Sequence, residues 1–178
     1  MTEQQYLDGN FLIALPGLEG DFFANSITLL IEHNQDGAFG LIINKPADIT
    51  LPQIIDHTPE PPDLPVLIGG PVHQDQLYFL HSTDKVYPNS YIINDDVSLT
   101  TSTDLLSDPT APEHTLVLVG YAGWASTQLE QELVRDAWLV ASFNRDIVFS
   151  TPFKNRPQAA AQKMGLDLNL INANSGHH

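Results

Sequence analysis

The sequence contains no cysteine. Disulfides, thiolate metal sites and cysteine nucleophiles are therefore excluded together. Cations are scarce too: 7 lysines and arginines stand against 22 aspartates and glutamates, a formal net charge of −15. No apolar run approaches the ~18 residues of a membrane-spanning helix, and the longest are strand-sized. The polar opening from Met1 to Tyr6 has no basic flank leading into an apolar stretch, so it is expected not to be a secretory signal. Also missing are a phosphate loop ending in Gly-Lys-Ser/Thr, a dinucleotide glycine pattern, a nucleophile elbow and a His-Glu-x-x-His pair. These gaps lead to the expectation of a cytoplasmic protein with no membrane attachment, no cofactor, no metal and no assigned catalytic residue.

What is present is the composition of a folded domain, 42% hydrophobic and 8% aromatic. At 178 residues it has room for one core rather than two. The charge is uneven: before Arg135 only Lys45 and Lys85 oppose the carboxylates, whereas the segment from Arg135 onward is slightly basic. An acidic body repels a phosphate backbone and has no cation cluster to release counterions, so direct nucleic-acid binding is not expected. The acidity serves solubility, or forms a surface for a basic partner.

Along the chain, Phe11 to Leu15 reads as a strand stopped by Pro16 and Gly17. Ile27–Glu32 and Ala38–Ile43 form a hairpin across Asp36-Gly37. Thr50 starts a short helix with Leu51, Ile54 and Ile55 on one side, and residues 58–65 are a proline-rich loop. Strands follow at Val66–Ile68, Gln76–His81 and Tyr91–Ile93. Thr101 with Asp104 suggests a capping box. Thr115 to Tyr121 is the clearest buried strand and leads into a helix over 127–137. Strands are expected at Trp138–Val140 and Ile147–Phe149, then a helix from Pro152 to Met164 ended by Gly165. The reading is one domain over residues 1–165 and a mobile tail over 166–178. Hairpins mixed with isolated helices indicate α+β.

The chemical candidates are few. Glu130 and Glu132 sit two apart, about 200° around a helix axis, and so point to opposite sides. Glu130 is expected to close a capping box with Thr127, and Glu132 to meet Arg135. His33, His73 and His81 each have an aspartate nearby, but no two-histidine metal spacing exists. More suggestive are three strand exits: Asn44, Lys45 and Pro46 after Ile43; Gly69, Gly70 and Pro71; and Gly120, Tyr121, Gly123 and Trp124, with Gln128 beyond. Glycine there permits tight turns or close backbone approach, and could open a pocket lined by these residues.

The same segments carry a resemblance. Phe11 to Pro16, Asp21 to Ser26, Glu32-His33-Asn34 with Gly37 to Gly40, Ile43 to Pro46, Gly69 to Val72, Leu80-His81-Ser82, Leu99 to Ser102, Gly120 to Trp124 and Gln128 to Glu132, taken in order, resemble the YqgE/AlgH family of small bacterial proteins. The resemblance implies a single α+β domain, its mixed or antiparallel sheet bifurcated or barrel-like and surrounded by helices. It implies no reaction; the AlgH name reflects a proposed regulatory role in alginate synthesis and is often carried forward as a transcriptional-regulator label. Thr103, Thr127 and Pro157 depart from the family pattern, the first and third removing side chains on which anion or nucleic-acid binding would rely.

The expected function is a non-enzymatic binding or regulatory protein with a protein or small-molecule partner. The alternative is an enzyme with acid–base or metal-assisted activity drawing on His33, His81 or a carboxylate.

Overall fold

The structure, a computed structural model, describes residues 6–16, 22–56 and 64–175. Gly17, Asp21, most of the proline-rich loop and the terminal His177-His178 lie outside the described residues. The strands are β1 (Phe11–Ala14), β2 (Ile27–Asn34), β3 (Gly37–Ile42), β4 (Pro46–Thr50), β5 (Pro65–Ile68), β6 (Val72–Ser82), β7 (Tyr91–Ile92), β8 (Val97–Thr100), β9 (Thr115–Ala125) and β10 (Trp138–Ala141). The helices are α1 (Leu51–Ile54), α2 (Asp104–Ser107), α3 (Gln128–Val134), α4 (Arg145–Phe149), α5 (Arg156–Gln162) and α6 (Leu168–Ser175), with a 3₁₀ turn at Phe153–Asn155.

The sheet runs β10-β1-β2-β3-β9-β6-β8-β7 and is curled, with helices on both faces; β5 joins β9 in parallel and β4 flanks β5. The long strand β9 is shared. Its first half lies between β6 and β5, from Val66↔Val117 to Ile68↔Val119. Its second half turns to β3, pairing Gly40↔Ala122 through Gly37↔Ala125. The sheet divides between them, at Gly120. There Ile42 donates its N–H to the Gly69 carbonyl (2.8 Å), and Gly69 donates to Val119 (2.8 Å). Gly120 has φ +75, and a Cβ on Gly70 would lie 1.9 Å from the Tyr121 carbonyl carbon. Backbone therefore packs on backbone, which a side chain at Gly70 forbids.

Period-two alternation along the strands sorts their side chains between two faces. The inner face gathers Leu29, Leu41, Leu80 and Leu118 with Ile147 and Val148 of α4 and Ala160 and Ala161 of α5. On the outer face, Leu12, Leu30, Trp124 and Trp138 pack with Leu129 of α3. Val117, Val119, Phe79 and Tyr87 meet Leu51 of α1 and Leu105 of α2.

Several expectations are corrected. Ile147–Phe149 is helical: the Asn144 side chain caps the Ile147 N–H (3.2 Å), and a helix lets Ile147 and Val148 bury together. The helix expected over Pro152–Met164 is divided into the 3₁₀ turn and α5, with Pro157 in the first turn of α5, where its missing N–H is harmless. After Gly165 the chain forms α6; Gln158 bonds the Asp167 carboxylate and the Leu168 N–H, both at 2.9 Å. The capping box of Thr101 and Asp104 does not form. Thr101 precedes the flanking residue Thr103, and the Ser102 hydroxyl accepts the Asp104 N–H instead (3.2 Å). At Thr50 the box does form, with Gln53 accepting its N–H (2.8 Å).

Gly70→Ala is expected to cost more than ~4 kcal/mol or prevent folding, because the overlap is with backbone. Gly9→Ala, with open space around it, should cost only ~1 kcal/mol for its positive φ; urea unfolding compares the two. A second expectation concerns acid. The Ser82 hydroxyl bonded to Asp84 (2.5 Å) and the Tyr87 hydroxyl bonded to Asp108 (2.8 Å) hold both carboxyls below their ordinary value. Groups depressed in this way stabilise the fold above that value, and the contribution disappears as pH falls through and below it. Asp84→Asn and Asp108→Asn should each flatten the acid limb of a melting-temperature profile.

Candidate ligand-binding hollow

The β2–β3 hairpin projects beyond the point where the sheet divides. Its turn is held by the Asn34 side chain, which accepts the Asp36 N–H (2.8 Å). Register places Glu32 opposite Phe39, and Phe39 opposite Gly123. Gly123 presents no side chain, so the row continues onto the ring of Tyr121, 3.3 Å from where a Cβ would stand. Phe39 packs on Tyr121 at 4.9 Å and on Tyr78 at 5.8 Å, and His73 stacks on Tyr121 at 5.9 Å. Beside these rings a hollow of about 340 Å³ is lined by Glu32, Asn34, Asp36, Phe39 and Trp124. Glu32 and Asp36 are exposed, and among the described residues neither is in an ion pair. Burial, then Tyr121, raises the Tyr78 phenol; burial, then Glu32 and Asp8, raises that of Tyr91. Tyr91 thus lies within the electrostatic reach of Glu32. Carboxylates next to a partly open aromatic wall suit an organic cation, which gains from both charge and ring quadrupole.

The other side of the hairpin is built differently. His33 is buried; its Nδ1 accepts the Leu7 N–H (3.1 Å), so Nε2 carries the proton donated to the Glu130 carboxylate. Both ring nitrogens are occupied, leaving no lone pair for general-base work. Glu132 accepts both indole N–H groups through one oxygen, from Trp124 (3.0 Å) and Trp138 (2.8 Å), and the Gln128 amide through the other (2.9 Å). The pairing of Glu132 with Arg135 is therefore corrected: the indole donors of two buried tryptophans claim the carboxylate. The Thr127–Glu130 capping box is corrected as well. Thr127 is left-handed, φ 65, and does not cap, while the Gln128 side chain accepts the Ala125 N–H (2.9 Å).

His81 is fully buried, its Nδ1 donating to the Ser82 carbonyl (2.8 Å). Among the described residues no group of His, Asp and Glu converges as metal ligands.

The three strand exits do come together, chiefly against one another. Gly69 and Gly70, followed by Pro71, pack on Gly120 and Tyr121. Asn44 clips the chain, accepting the Ile27 N–H (3.0 Å) and donating to the Asn25 carbonyl (2.9 Å), and Pro46 opens β4. Trp124 lines the hollow, Gly123 and Tyr121 continue the row from Phe39 beside it, and Gln128 opens α3, bonded to Glu132 one turn on. Sequence reasoning missed Glu32, Asp36 and Phe39 as site residues. Acidic residues clustered at a hairpin turn were the available signal.

The curled mixed sheet with helices on both faces defines the class, a single-domain α+β protein. The chain belongs to the AlgH-like family, whose pattern matches residues 11–169. It is 41% identical to a UPF0301 protein of Nitrosococcus oceani over 99% of this chain and 100% of that one. With a UPF0301 protein of Pectobacterium carotovorum subsp. carotovorum the identity is 42%, over 96% and 98%. The solution structure of the AlgH protein from Pseudomonas aeruginosa superposes with a TM-score of 0.80 at 35% identity, covering 97% of this chain and 96% of that one. Among the described residues no helix is long and apolar enough to cross a membrane.

Glu132→Ala would strand two indole donors and should cost ~2–4 kcal/mol; Glu132→Gln keeps an acceptor and should cost ~1 kcal/mol. Chemical unfolding followed by tryptophan fluorescence checks the order.

Proposed function

We propose that the chain is a non-enzymatic binding protein whose hairpin hollow takes a cationic group of its partner, a guanidinium or an organic ammonium. The observation that carries this reading is the row Glu32–Phe39–Gly123–Tyr121, which sets a carboxylate beside aromatic rings at an uncrowded surface. Asp36 adds a second carboxylate. The surrounding charge supports it, since a body at −15 attracts cations from a distance. The occupied nitrogens of His33 and the burial of His81 weigh against acid–base catalysis. A regulatory role, in this reading, works through a basic protein partner and not through DNA, whose phosphates the chain repels. A cytoplasmic location belongs to the same proposal.

Arginine amide is the simplest probe, titrated while amide resonances of the β2–β3 hairpin and Trp124 fluorescence are followed. Binding should weaken about tenfold on Glu32→Gln and on Phe39→Leu, and should fall with added salt. Equal binding by both variants, or turnover in a substrate screen, would overturn the reading.

A further inference from the structure

We propose that β7 is an acceptor edge for an extended peptide of a partner protein in which basic residues alternate with apolar ones. This rests on the reading of the hollow, because the basic residues are those the Glu32 side would receive.

The backbone argument comes first. β7 is the last strand of the sheet and, among the described residues, pairs only with β8. Ile93 donates to the Val97 carbonyl (3.1 Å), and bonded pairs alternate in an antiparallel ladder. Tyr91↔Leu99 is thus a bonded pair and Ile92↔Ser98 is not, so the Ile92 N–H and C=O point away from β8. An incoming strand finds one donor and one acceptor already aligned, the geometry of strand addition.

The side chains set the pattern. Tyr91 shares the inner face with Leu99, and its phenol lies in the field of Glu32 and Asp8. Ile92 shares the opposite face with Ser98, where a hollow of about 390 Å³ is bounded by Val86, Ile92 and Ser90. Val86 is 82% and Ile92 70% exposed, an apolar pair left open to solvent at a strand edge. Protected edges usually avoid this arrangement. Successive residues of an added strand point to opposite faces. One set would therefore meet Glu32 and Asp8, and the other Val86 and Ile92.

Charge selects the occupant. The β7–β8 turn adds Asp95 and Asp96, both exposed. The cation nearby, Lys85, is held by the Thr110 hydroxyl (2.6 Å) and Asp108 (3.6 Å). A second copy of this chain would bring another −15 to the edge. A basic, strand-forming segment fits where a self-pairing one is repelled.

The test uses a short peptide alternating arginine and valine, the same peptide N-methylated at alternate backbone amides, and one alternating glutamate and valine, each titrated against the intact chain by calorimetry. The first peptide should bind, with Tyr91, Ile92 and Val86 resonances shifting. N-methylation should weaken it at least ~tenfold, since it removes strand pairing and keeps every side chain. Ile92→Pro should do the same while leaving arginine amide binding intact. Equal binding of the N-methylated peptide overturns strand addition and leaves the hollow reading standing. Equal binding of the glutamate peptide overturns the basic pattern. Failure of both arginine amide and the arginine peptide to bind overturns both proposals.

Discussion

The packing of Gly69-Gly70 directly on Gly120-Tyr121 is the contact on which the rest of the architecture depends. It lets β9 serve β5 on one stretch and β3 on the next, so that a single strand belongs to both arms of the sheet. Past that point β9 pairs with β3, so the β2–β3 hairpin lies along its second half and carries Glu32, Asp36 and Phe39 there. The same strand then runs through Tyr121 and Gly123 to Trp124 and hands the chain to α3. A site at the hairpin and a strand that splits the sheet are two results of one close backbone approach.

Polar groups divide between those that hold the fold and those left facing solvent. Glu132 is spent on two indoles and an amide, and His33 on a backbone N–H and Glu130. Among the described residues Arg156 is the largest fully buried side chain. It donates to the Ile43 (2.5 Å) and Thr151 (2.9 Å) carbonyls and lies over the Phe153 ring. Burial lowers its guanidinium to about 10, which marks a cation retained for hydrogen bonding that ties α5 to the end of β3. Glu32 and Asp36 are among the many exposed carboxylates outside the ion pairs of the described residues, and they differ in lying beside the ring of Phe39.

Much of the fold was legible in local pattern. The Asp36-Gly37 hairpin, the buried run from Thr115 and the Thr50 helix start follow from turn chemistry and periodicity, which act over a few residues. Ile147–Phe149 misled because β-branched residues suggest a strand, while the Asn144 cap and the shared inner face impose a helix. The fates of Glu130 and Glu132 were hidden for a related reason. Their partners, His33, Trp124 and Trp138, come from other elements, and no spacing along one helix reveals them.

The sequence by itself determined an acidic, cysteine-free α+β chain, its main strands, and the glycines on which close packing depends, because composition and short-range periodicity carry those properties. Its ordered motifs were also enough to indicate the family. Only the tertiary structure decided which glycines pack against backbone and which carboxylates remain available. It alone set Glu32 beside Phe39 and Tyr121, and left β7 at the end of the sheet with one side unpaired among the described residues. Those juxtapositions depend on register between distant strands and on the curl of the sheet, which are long-range properties of the packed chain.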